Sequence, residues 1–144
     1  MGYDLAKREV TIYDSGERRW STTNIATVGI AVAKILSRPL DDPFLRNTHV
    51  LNSSFTVLQN EVLKLLEESD EKRWNVNKVS STEALKKAKT ADESEALRLR
   101  VLMLLYADGD DKGANFEHDD RLANAVLGLE KEDLKSVVNR LVNF

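Results

Sequence analysis

The sequence contains no cysteine. That absence excludes disulfides, zinc-thiolate sites and thiol catalysis, and it is compatible with a reducing compartment. Glycine is scarce: the six residues at positions 2, 16, 29, 109, 113 and 128 form neither a G-x-G-x-x-G fingerprint nor a phosphate loop. Nothing in the chain therefore cradles a pyrophosphate. Neither sign of charge dominates, since 21 Lys and Arg stand against 24 Asp and Glu for a net charge of -3. The basic residues are scattered, which removes the electrostatic case for a nucleic-acid partner. Long apolar runs are missing as well. The longest, Val101 to Ala107, is far too short to span a bilayer, and the first residues lack the basic-then-apolar pattern of a signal peptide. A cytoplasmic location with no membrane partner is the expectation. The two histidines, His49 and His118, lie in unrelated stretches with no HExxH or triad-like context.

What is present is ordinary for a soluble globular protein: 42% hydrophobic and 31% charged residues in 144, the size of one domain spanning 1–144. Glu9 to Tyr13 is a short β-branched run leaving through the turn Asp14-Ser15-Gly16, and it predicts a strand. Ser21 to Thr23 is placed to cap a helix whose apolar positions Ile25, Val28, Val32, Ile35 and Leu36 recur at helical spacing until Pro39. Asn47 to Leu51 reads as a second strand. Thr56 with Gln59 matches a capping box for a helix burying Leu58, Val62, Leu65 and Leu66. A strand is expected over Trp74 to Val79, and Ser80 and Asp92 open two further helices. The second of these is expected to be deeply buried from Leu97 to Tyr106. Arg121 to Leu127 and Glu130 to Val142 complete the helices. Three short strands among five or six helices make an α/β chain with too little sheet for a complete doubly wound fold.

Two stretches invite a chemical assignment. In Asp108 to Asp120, DGDDKGANFEHDD, Asp108, Asp110, Gly113 and Asp119 fall on positions of the calcium-loop template, but Lys112 occupies a ligand position and the closing residue is the shorter Asp. The composition therefore favours a solvated turn over a metal site. Tyr3 to Lys7 has the Tyr-x-x-x-Lys spacing that places a phenol and an ammonium on one helix face. A strand follows directly, however, and no helix cap precedes Tyr3. No catalytic or metal-ligating residue is assigned.

The segments VTIYDSG, STTNIATVGIAVAKIL, FTVLQNEVLKLLEES, KRWNVNKVS and ANFEHDDRLANAVLGLEKEDLKSVVNRLV, in that order, resemble the C-terminal portion of the NmrA-like and isoflavone-reductase-like proteins, which are atypical short-chain dehydrogenase relatives. Asn115-Phe116-Glu117 is similar to their recurring N-F-E element. The resemblance implies a partial, helix-rich C-terminal region of an NAD(P)-binding Rossmann-type protein. It also implies that the glycine-rich NADPH loop and the catalytic lysine belong to a dinucleotide-binding half absent from this chain. NADPH is thus implied for a full-length relative and no cofactor for this chain alone. Plant-type members carry a histidine on the long helix before the N-F-E element, and Leu97 to Tyr106 contains none, which counts against an isoflavone-type substrate.

The function so implied is the substrate-binding or lid portion of an NAD(P)H-dependent oxidoreductase, inactive alone, with Met103, Tyr106 and Phe116 as substrate-pocket residues and a small apolar substrate as ligand. The alternative is a non-catalytic cofactor-sensing or regulatory module acting through a protein partner. Without the cofactor half, the strands at Glu9 to Tyr13 and Asn47 to Leu51 are expected to expose unpaired edges. The helix from Asn24 to Leu36 should likewise expose an apolar stripe through Val28, Val32 and Ile35, favouring self-association and a loosely ordered first third.

Overall fold

The computed structural model describes residues 2–109 and 114–142. Strand β2 (Glu9–Tyr13) is the centre of the molecule. It pairs antiparallel with β1 (Tyr3–Asp4) on one side and parallel with β5 (Asn75–Val79) on the other, with Val10 opposite Val76 and Ile12 opposite Lys78. Helices cover both faces, the arrangement that parallel strands require. On one face Val10 and Ile12 pack with Leu66, Trp74 and Val138, which brings in α2 (Gln59–Asp70) and α5 (Leu134–Val142). On the other, Tyr13 packs with Ala84 and Ala88 of α3 (Ser81–Ala88) and with Leu99, Leu102, Met103 and Tyr106 of α4 (Glu93–Tyr106). The expected open edge at Glu9 to Tyr13 is therefore closed on both sides, and the first third of the chain contains the best-buried strand.

A second sheet joins β3 (Trp20–Thr22) antiparallel to β4 (Phe55–Val57). Both strands occupy stretches whose hydroxyl residues suggest helix caps. Ser21 and Thr56 instead stand opposite each other across the ladder, with their hydroxyl oxygens 3.1 Å apart, a cross-strand pair that competes with capping. Helix α1 (Ile25–Leu36) consequently starts after Asn24, and α2 after Leu58, whose N–H is taken by Glu61. Ser80 and Asp92 do cap α3 and α4 as expected, accepting from the Thr82 and Glu95 N–H groups.

Three expected elements shrink. Asn47 to Leu51 contributes a single bridge, Leu51 to Leu122. Arg121 to Leu127 forms a turn closed at Gly128, where φ is 56°, rather than a helix. The last helix begins at Leu134, with Asp133 accepting from the N–H and hydroxyl of Ser136. In α4 the continuous apolar run proves one-sided: Leu99, Leu102, Met103 and Tyr106 are buried, while Leu97, Val101 and Leu104 face outward. A third cluster, Ala31 with Ala123 and Leu127, flanked by Ile35, Phe44, Val50 and Leu129, holds α1 against the 123–129 turn. Ile35 is half-buried there, Val28 is half-buried as well, and Val32 points outward.

Candidate functional site

A cleft of about 610 Å³ opens between β4, the start of α2, the turn at 122–125 and the segment leading into α5. Its apolar lining is Phe55, Val57, Leu122, Leu129 and Leu134, all buried or half-buried, and the exposed carboxylates Glu61, Glu117, Glu130 and Asp133 surround it. Asn124 fastens one wall to another: its amide donates to Ser53 O at 2.6 Å and its carbonyl accepts from Ser53 N–H at 3.1 Å. The lining is mixed: these apolar side chains share it with Ser53, Ser54, Thr56, Asn124 and Lys131, so the cleft is more polar than an ordinary small-molecule pocket. The carboxylates outnumber the one cation on the cleft, Lys131, and disfavour anions.

Glu132, also on the cleft, is committed to structure. Its carboxylate accepts from the Ser54 hydroxyl, from Thr27 Oγ1 at 2.5 Å and from Asn24 Nδ2 at 2.5 Å. These donors, with Ser54 contributing most and then Thr27, hold its pKa below the ordinary glutamate value although partial burial opposes them. Ser54 Oγ in turn accepts the Asn24 N–H at 3.1 Å. The N-terminus of α1, whose own Asn24 makes no side-chain cap bond, thus receives a negative charge from a residue more than a hundred positions away. A carboxylate held ionised by three donors is a poor general acid or base.

The three residues expected to line a substrate pocket lie outside this cleft. Met103 and Tyr106 are inside the main core. Tyr106 stacks on Tyr13 with ring centroids 5.9 Å apart and meets Trp20 edge-on at 5.2 Å. Burial, with a smaller contribution from Tyr13, pushes the Tyr106 phenol up to about 12, so it stays neutral and serves packing. Phe116 is half-buried on the N-F-E loop. That loop is docked onto β3, because Ser21 Oγ accepts the Phe116 N–H at 2.9 Å and Ser21 N–H donates to Ala114 O at 2.7 Å. None of the three is among the residues lining the cleft. The cleft residues Phe55, Asn124 and Leu129 carry no sequence signal of their own: Phe55 sits in a strand that resembles a helix start, and Asn124 in a turn that resembles a helix.

The two stretches that invited chemistry are accounted for differently. Asp108 accepts from the N–H and hydroxyl of Ser15, at 3.2 and 2.8 Å, while Asp14 accepts from the Asp108 and Ser81 N–H groups at 3.1 and 2.7 Å. This exchange latches the end of α4 to the turn after β2. Asp119 binds the Arg121 guanidinium, which lowers its pKa to about 2. Asp110, Lys112 and Gly113 lie outside the described residues. Tyr3 and Lys7 sit on a hairpin instead of a helix. The half-buried Tyr3 phenol donates to Gln59 O at 2.8 Å and titrates well above its usual range through desolvation, and Lys7 lies 3.8 Å from Asp4. His49 and His118 are both exposed. Among the described residues no helix is long and apolar enough to cross a membrane.

Comparison with known proteins places this geometry. No family model matches the chain. The protein is 26% identical to "Oxidoreductase poxI" of Penicillium oxalicum over 100% of this chain and 46% of that protein. It is 27% identical to "Oxidoreductase aprR" of Aspergillus flavus over 96% of this chain and 46% of that protein. The chain thus spans about half the length of these curated relatives. Among solved structures it superposes on "Crystal Structure of Isoflavone Reductase" with a TM-score of 0.71 at 20% identity, covering 93% of this chain and 43% of that one. On "AtPrR2 in apo form" the TM-score is 0.69 at 19% identity, with 94% and 45% covered. The fold is that of part of a Rossmann-type α/β reductase, and the likeness to isoflavone-reductase-like proteins drawn from the five sequence segments is borne out. In sequence the chain is akin to fungal oxidoreductases.

Proposed function

We propose that this chain forms the substrate side of an NAD(P)H-dependent oxidoreductase, binding a neutral molecule that carries both apolar and polar groups in the cleft between β4 and the 122–134 segment. In this role it supplies position and exclusion of water, while the hydride comes from a nicotinamide held by a dinucleotide-binding half. The observation that carries the reading is the match of nearly the whole chain to less than half of an isoflavone reductase fold, together with a cleft of about 610 Å³ on that chain. The charge of the cleft agrees with the division of labour. Glu61, Glu117, Glu130 and Asp133 around it are unsuited to a pyrophosphate, and the chain offers no glycine turn to hold one.

Amide chemical shifts followed during titration test the reading. A neutral aromatic ketone is expected to shift Phe55, Asn124 and Leu129, and NADPH is expected to shift nothing saturably. Addition of the dinucleotide-binding half of the Penicillium relative should then give NADPH-dependent reduction of the ketone. Shifts confined to other surfaces would overturn the cleft assignment. Capture of a protein partner without turnover is the result a regulatory module would give.

A further inference from the structure

Helix α1 is amphipathic in the wrong sense for a helix on a complete surface. Its two polar side chains turn toward the rest of the molecule: Thr27 is buried against Glu132, and Lys34 Nζ donates to Gly128 O at 2.6 Å. Its outer face consists of Ile25, Ala26, Gly29, Ile30, Val32, Ala33 and Leu36, every one exposed and none charged. Ile25 is 86% exposed, Leu36 79%, Ile30 51% and Val32 49%. A surface helix normally shows the reverse pattern. Gly29 sharpens the anomaly. A Cβ added there would meet nothing within 4 Å, so no contact within the chain requires glycine, although glycine destabilises a helix interior relative to alanine. Close approach of another backbone is a reason for it.

We propose that this face is the interface with a second copy of the chain, two α1 helices packing antiparallel about a twofold axis that passes between Gly29 and Ala33. This inference stands independently of the proposed enzymatic role. The face is self-complementary in that register. Gly29 of one copy lies opposite Ala33 of the other, Leu36 lies over Ala26, and Ile25 meets the groove of about 510 Å³ bordered by Ile30, Ala33, Lys34, Ser37, Arg38 and Leu127. Leu36 thus falls on a small side chain while Ile30 stands opposite Val32, the same patch meeting itself as an isologous contact requires. The area is adequate: the exposed aliphatic surface is on the order of 500 Å² per copy, at the upper end of what a monomer leaves bare. Two copies then bury about 1,000 Å², the threshold for a specific interface. The two cations at the groove are engaged within their own copy, Lys34 Nζ donating to Gly128 O at 2.6 Å and the Arg38 guanidinium bound to Asp42 at 2.6 Å.

Sedimentation velocity on the full chain, over the micromolar to millimolar range, is the test. A monomer–dimer equilibrium is expected, and Leu36→Glu should raise the dissociation constant by roughly tenfold or more with unchanged circular dichroism. Gly29→Leu is the decisive variant, because it points into open space in a single copy. It should leave the monomer folded and still weaken the dimer, while Glu68→Ala on α2 should change nothing. A monomer throughout that range would overturn the proposal and leave the face for another occupant, such as the region by which the relatives are longer. A dimer indifferent to both α1 variants, or polydisperse aggregates, would overturn it equally.

Discussion

Gln59 illustrates how much one side chain can close. It is 1% exposed, and its amide acts as a strand partner: Oε1 accepts the Tyr13 N–H at 3.0 Å and Nε2 donates to Thr11 O at 3.0 Å, beside the β1 end where Gly2 O takes the Thr11 N–H. Removing it leaves two buried backbone groups of the central strand unpaired. Gln59→Leu is therefore expected to cost ~2–3 kcal/mol in urea unfolding, near the penalty for orphaned buried polar groups. A loss of only a few tenths would show that those groups find water. Gly16 is constrained by both conformation and space. Its φ is +72°, and an added Cβ would lie 2.7 Å from Ile12 Cγ2 and 2.8 Å from Asn60 Oδ1. Gly16→Ala should destabilise by ~1–3 kcal/mol, since the methyl both strains the turn and displaces a core isoleucine. The same unfolding experiment checks it.

At the scale of elements, the tie between α1 and Glu132 is the connection most open to experiment. The helix has no acidic residue in its first turn and no side-chain cap bond of its own, so the borrowed carboxylate supplies both the charge and the partners. Glu132→Ala is expected to speed amide exchange in α1 while leaving α4 unchanged, because the two helices belong to separate clusters. The pH dependence has a definite sign. The folded-state pKa of Glu132 is lowered from 4.5, so its stabilisation is fully present above that value and is lost as the pH falls through the lowered one. Unfolding free energy measured across that acid range should fall less steeply in Glu132→Gln than in the parent chain. Identical slopes would mean that the three donors do not distinguish the ionised from the neutral side chain.

For the molecule as a whole, the centre of stability lies in β2 and the helices on its two faces. Exchange is expected to be slowest in β2 and α4 and faster across 37–50, where the chain runs in turns with a bridge only at Leu51. Rapid exchange across Val10 to Tyr13 would contradict the burial of these residues between two helical layers. That placement corrects the expectation of an open edge at Glu9 to Tyr13. Pairing by β1, β5 and Gln59 closes the strand that composition alone leaves open. The exposed apolar stripe is real, but it is carried by Ile25, Ile30, Val32 and Leu36, and not by Val28 and Ile35.

What the residues determined by themselves was local: the β-branched run at Glu9 to Tyr13, the capped starts at Ser80 and Asp92, and the helical periodicity of α2 and α5. In each, propensity and pattern agree with the environment, so the nearest neighbours in sequence suffice to specify the element. The kinship with reductases was also legible, because five segments in order carry more information than any one motif. Tertiary structure alone decided the rest. Ser21 and Thr56 have the chemistry of caps, and only their meeting across 35 residues makes them a strand pair. Met103 and Tyr106 have the chemistry of a pocket lining, and only the stacking of Tyr106 on Tyr13 and Trp20 assigns them to the core. The cleft of Phe55, Asn124 and Leu129 is assembled from a short strand, a turn and a loop whose adjacency no local pattern encodes. The physical reason is common to all three: a side chain able to serve two roles takes the one whose long-range partner arrives on folding.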